Sequence, residues 1–229
     1  MRFIRPFALI FAVWACVQAQ DVVDRMAAVV NKQVILESEL DQALRIELLM
    51  QGKPLSPQSQ GPEERQAVLG RLIDQALLEQ QIAHPEMLSP TPDELAARMK
   101  EIRDQIPGAS SDQSWKGLLN NYGVTQQDLE EYLISEIRIL RLVDLRFRGL
   151  VHIDKTAIAG YYENKLVPEL RRQGAAVPPL AGVSDKIEKI LVEQSMSAML
   201  DEWLQTLRSQ AHIEKMIAPV ASAAGEAKP

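Results

Sequence analysis

The side chains best able to act as acid, base or metal ligand are His84, His152 and His212, and they are scattered along the chain. No pair of them has metal-ligand spacing, and no C-x-x-C or H-E-x-x-H string is present. P-loop and G-x-G-x-x-G strings are missing too, which removes the common nucleotide signatures. Cys16 is the single cysteine, so the chain cannot form an internal disulfide. Tyr161 and Tyr162 could stack or relay a proton, but a short helix packing on a longer one uses the same residues. Arg138, Arg141, Arg146 and Arg148 follow Asp128, Glu130 and Glu131 along one helical stretch. That order complements a helix dipole and reads as a structural pattern rather than a phosphate site. No catalytic residue, metal ligand or cofactor is expected.

What remains is the chemistry of contact. Methionine is flexible and polarizable, which suits varied apolar partners. The chain has eight, including Met50, Met87, Met99, Met196 and Met199. Trp115, Leu118 and Tyr122 are spaced to share one face of a short helix. Each of these residues also fits ordinary core packing. Trp203 falls among regularly spaced apolar residues and reads as core.

The elements that must position these residues are mostly helices. The chain has 229 residues, of which 46% are hydrophobic and 24% charged, as in a folded protein with one or two domains. Its net charge of −6, with no block of Lys and Arg, argues against nucleic acid as a partner. Two β-prone runs, Ala27–Val30 and Val34–Leu36, flank Asn31-Lys32-Gln33 and predict a hairpin. Ser38 reads as the cap of a helix reaching about Gln51, and a Gly/Pro/Ser/Gln loop follows. Pro62 opens the next helix, with Leu69, Leu72, Ile73, Ala76 and Leu77 as its core face. Thr91 and Glu94 form a capping box for a helix that Pro107-Gly108 ends. A short helix from Trp115 stops at Gly123, and Thr125 caps a long one to about Phe147. Asp154 can cap a helix to about Leu166. Ser184 can cap a further helix with Ile187, Ile190, Leu191, Met196, Leu200, Trp203, Leu204 and Leu207 as its apolar face. His212–Met216 alternates like a half-buried strand. The fold class is therefore mainly α: a composite helical domain with a small β-hairpin joined by a C-terminal strand.

The N-terminus reads as a secretory leader. Arg2 and Arg5 precede the apolar run Phe7–Val17, and Val17-Gln18-Ala19 offers a cleavage site. Loss of residues 1–19 takes the net charge from −6 to −8 and removes the cysteine. No stable membrane span is then expected. An uncleaved anchor and lipid attachment at Cys16 are the alternatives, the second disfavoured by the bulk of Trp14.

Three segments together carry a resemblance: AAVVNKQVILESEL, RQAVLGRLIDQALLEQQIA and LLNNYGVTQQDLEEYLISEIRILRLVD. Their order and spacing over residues 21–150 resemble the N-terminal domain of SurA-type periplasmic chaperones. IAGYYENKLVPEL resembles the approach to that family's parvulin prolyl-isomerase domain, and residues 184–216 resemble its returning C-terminal helix and strand. Only a short stretch separates Leu170 from Ser184, so a Pro-containing linker is expected in place of the parvulin domain. Lowering the roughly 18–20 kcal/mol isomerisation barrier needs a shaped site that such a linker cannot fold.

The resemblance implies a division into residues 1–19 (leader), 20–170 (helical chaperone domain), 171–183 (linker), 184–217 (completing helix and strand) and 218–229 (disordered tail). It implies a periplasmic, ATP-independent holdase that is not an enzyme and binds unfolded or nascent envelope proteins, outer-membrane proteins among them. Prolyl isomerisation, by family name only, and a structural role in the envelope are the alternatives. Trp115, Leu118, Tyr122 and Met99 are then the expected client contacts.

Overall fold

The computed structural model describes residues 24–216. The leader expected over 1–19, with Cys16, and the tail expected over 218–229 lie outside them. The hairpin forms from β1 (Met26–Val30) and β2 (Gln33–Leu36), paired antiparallel. Asn31 takes the left-handed conformation at φ 57°, which Asn tolerates in a tight turn. A third strand, β3 (Ile213–Lys215), pairs antiparallel with β1 and gives the order β2-β1-β3. Asn31 ties this strand in: its N–H donates to the His212 carbonyl at 2.7 Å, and its side-chain oxygen accepts from the His212 N–H at 2.9 Å. Two strands alone would be marginal in water, and the third lets β1 use both edges.

Helix α1 (Glu37–Met50) starts one residue before the expected Ser38 cap. Leu36 is the cap residue, and Glu39 reaches back to accept from its N–H at 2.9 Å. The Ser38 hydroxyl donates instead to Asp24. Then come α2 (Pro62–Glu79), the short α3 (Pro85–Leu88) and α4 (Pro92–Gln105), whose Thr91/Glu94 capping box is present. Helix α5 (Asp112–Tyr122) begins before Trp115 because Ser111 caps it. Gly123 ends it at φ 63°, a backbone position where a side chain would be strained. Helix α6 (Gln126–Phe147) carries the Thr125/Asp128 capping box.

Asp154 caps α7 (Lys155–Tyr161), which runs through a π-helical turn at Tyr162–Leu166 into α8 (Val167–Arg172). Pro168 accounts for the wide turn: it lacks an N–H and its ring crowds the carbonyl four residues back. The last helix, α9 (Leu180–Gln210), begins straight after Pro179, four residues before the expected Ser184 cap. Residues 173–179 therefore join α8 to α9.

Two cores hold the chain together. The first packs the hairpin on α1 and α2 through Ala28, Val30, Leu40, Leu44, Leu69, Ile73 and Leu77, with Leu207 of α9. The second packs Ile46 and Leu49 of α1 against Ile102, Trp115, Leu119, Leu129 and Leu133. Helix α1 thus serves both, with different faces.

Helix α9 does not have the single apolar face expected from the sequence. Leu200, Trp203, Leu204 and Leu207 pack on the first core. Ile187 is buried outside both cores, as is Ile158 of α7, which packs on α9. At about 100° per residue, Ile187 and Leu207 lie roughly 200° apart around the helix. One end of α9 completes the domain, and the other forms a helical arm with α7 on the opposite side. The arm end leaves Ile190 exposed.

Candidate functional site

Helices α4 and α5 meet at an angle set by the loop between them. Arg103, on α4, holds that loop: it donates to the Ala109 carbonyl at 2.6 Å, the Ser110 carbonyl at 3.3 Å and Asp112 at 2.7 Å. Backbone carbonyls that would otherwise need water are satisfied by one guanidinium. The start of α4 is fixed against α6. Arg141 donates to Glu94 at 2.6 Å and to the Ser89 carbonyl at 2.8 Å, and Arg138 to the Ser89 hydroxyl at 2.8 Å. Glu94 also accepts from the Thr91 N–H at 2.7 Å. Hydrogen bonds from Thr91, with the Arg141 charge behind them, hold the Glu94 carboxyl below its ordinary value.

These braces leave an open groove of about 590 Å³ between α4, α5 and the start of α6. Leu95, Ala96, Met99 and Trp115 supply its apolar surface, and Lys100, Arg103, Asp112, Lys116, Gln126 and Glu130 its polar rim. The size is that of a ligand-binding cleft. Of the four residues singled out in the sequence, Met99 and Trp115 come together here. Met99 is half-buried, while Trp115 is only 5% exposed and belongs to the second core. Leu118 and Tyr122 do not line the groove. Leu118 packs on the second core, and Tyr122 packs on both cores while its hydroxyl donates to the Lys53 carbonyl at 2.8 Å. Leu95 and Lys116 were not singled out. Leu95, four residues before Met99 on the same helix face, was readable from its spacing.

Of the other concavities among the described residues, two border aromatic side chains. One, of about 260 Å³, sits between β2, α1, α2 and α6 and is lined by Glu39, Glu79, Asp128 and Glu131 above Ile35, Ala43 and Ala76. Tyr132 borders it, and burial beside Glu47 and Glu136 pushes its phenol up to about 12. The other is a shallow surface pocket of Gln81, Leu142, Leu145, Arg146 and Trp203. There Trp203 meets the Phe147 ring edge-on at 5.7 Å and carries the Arg146 guanidinium 4.2 Å from its ring. Trp203 is thus at once a core-packing residue and part of the surface. Among the described residues no set of His, Cys, Asp and Glu is placed to hold a metal, and no helix is long and apolar enough to cross a membrane.

A family model described as the SurA-like N-terminal domain matches residues 3–143. The protein named Chaperone SurA in Pseudomonas aeruginosa is 30% identical over 174 residues, which cover 72% of this chain. The chain spans 40% of the length of that curated relative. With the family model matching more than half of its length, the chain belongs to the SurA-like N-terminal domain family.

Proposed function

We propose that this protein is an ATP-independent chaperone of the cell envelope, a holdase that binds unfolded or nascent proteins through apolar surface. Membership of the SurA-like family and the relative named a chaperone support the class. One observation carries the reading to a place in the molecule: the open groove on Leu95, Met99 and Trp115, with braced helical walls. Rigid walls keep the apolar surface from collapsing, and the flexible Met99 adapts it to different side chains. Charged residues at the rim oppose self-association through the same surface. A sequence-tolerant contact of this kind binds weakly and reversibly, as a carrier must. The basic and apolar segments of residues 1–19 support delivery to the periplasm. Residues 173–179, joining α8 directly to α9, support a function without prolyl isomerisation in this chain.

The test is light scattering from an unfolded outer-membrane barrel protein diluted out of urea, without nucleotide. Purified protein in several-fold excess suppresses the scattering. Unchanged aggregation overturns the holdase reading. The cis-to-trans rate of a Pro-containing peptide, measured on the same preparation, stays at its uncatalysed value, and an accelerated rate overturns the non-enzymatic part.

A further inference from the structure

The charges around the α4–α5 groove run against those of the whole chain. The protein carries a net −6, yet the groove rim holds Lys100, Arg103 and Lys116 against Asp112 and Glu130. Asp112 is ion-paired with Arg103 at 2.7 Å, while Glu130, on α6, accepts only from the neutral Gln126 amide at 2.7 Å and keeps its charge. Lys100 pairs with Asp104 one turn along α4. Lys116 has no hydrogen-bond or ion-pair partner among the described residues. It directly follows Trp115 on α5, as Lys100 follows Met99 on the facing helix. All four residues line the groove, so each wall offers an apolar side chain and an ammonium group, that of Lys100 already paired and that of Lys116 not.

We propose that this groove takes an extended segment of an unfolded protein in which a large apolar side chain neighbours a carboxylate, the apolar group seated on Met99 and Trp115 and the carboxylate on Lys116. This rests on the chaperone reading above and adds a client preference to it. The volume of about 590 Å³ admits a large side chain together with its flanking backbone. A carboxylate beside Trp115 gains the unpaired Lys116 ammonium, whereas a client lysine at the same place meets its like charge. The preference discriminates by repulsion as much as by attraction.

Two fluorescein-labelled peptides test it, identical except that Asp or Lys flanks a central Phe, with anisotropy measured on the purified protein. The Asp peptide binds about two- to fivefold more tightly, the range of an exposed ion pair, and the gap narrows as salt is raised. Lys116→Glu reverses the order, and Lys116→Ala removes most of the gap. Both changes fall on an exposed helix surface, so circular dichroism stays unchanged. Equal binding of the two peptides by the wild type, tighter binding of the Lys peptide, or a preference that survives both substitutions overturns the proposal. Aggregation of the barrel client is followed in parallel. Suppression with no peptide preference leaves the chaperone reading standing and sinks the groove assignment. No suppression and no peptide binding sinks both.

Discussion

Leu207→Ala and Ile187→Ala remove similar side chains from one helix and should have different consequences. Leu207 is 9% exposed and packs in the first core, which holds the hairpin, α1 and α2. Near it Arg208 donates from Nε to Asp74 of α2 at 2.7 Å, so this end of α9 is fastened by charge as well as by packing. Truncating a buried Leu leaves a cavity and costs about 2–4 kcal/mol. With a urea slope of about 2 kcal/mol per molar, the unfolding midpoint falls by roughly 1 M or more. Ile187 is 2% exposed, but it lies outside both cores, in the arm with α7. Its loss opens the arm locally before it unfolds the domain. Hydrogen exchange then rises across residues 155–172 and 180–190, while the main midpoint moves less than half as far as in the Leu207 variant. Urea unfolding by circular dichroism and exchange by mass spectrometry give both readings. A Leu207→Ala shift smaller than about 0.2 M would refute the composite domain, because that helix end would then contribute little to the core. Equal shifts from the two variants would refute the separation of arm and core.

Three other outcomes follow from the geometry. Trp115→Ala lowers stability by about 3–5 kcal/mol, because the indole is a wall of the second core before it is a wall of the groove, whereas Met99→Ala weakens client binding at small cost in stability; thermal melts and peptide anisotropy separate the two. Glu94 has its folded value held below 4.5, so its stabilising share is present above the unfolded value and is lost as pH falls through the folded one; Glu94→Gln flattens the acid limb of melting temperature against pH. Tyr132 has the opposite sense: its phenol is pushed up to about 12, so the folded state keeps its proton where the unfolded chain, near 10, has lost it. Stability therefore falls as pH rises from 10 toward 12, by about 1–2 kcal/mol after allowance for solvent screening, and Tyr132→Phe removes that decline in alkaline unfolding curves.

The helix starts were legible at Thr91, Thr125 and Asp154, though not at Ser111, whose capping partner is another serine. Thr91 with Glu94 and Thr125 with Asp128 form the boxes their spacing announces, and Asp154 accepts from the Ala157 N–H at 2.7 Å. Ser38 and Ser184 misled for a common reason: each lies inside a helix already started by something else. Glu39 makes the back-bond of a capping box onto Leu36, whose own side chain cannot accept, so a search for Ser or Thr passes over it. Pro179 sits at φ −63° and ψ 146°, directly before the helix, so the second proline marks a start rather than the middle of a linker. The π-helical turn had its signal in Pro168, but one proline does not say whether a helix breaks or widens. Two of the four contact residues meet at the groove because i, i+4 spacing gives a helix face without giving its neighbour. Trp115, Leu118 and Tyr122 do share a face, and that face turns inward.

The same limit explains α9. Read alone, its apolar residues look like one broad stripe, since eight of them over about six turns leave few gaps. The stripe rotates onto the far side of the helix between Ile187 and Leu207, and only the partners reveal this. A helix that buries opposite sides at its two ends must leave its middle between two supports. There Met196 and Met199 are half-buried, the residues best able to tolerate a changing environment. The arm and the domain share one helix but no core, and the groove at α4–α5 is braced by Arg103 and Arg141 from elements that α9 does not supply.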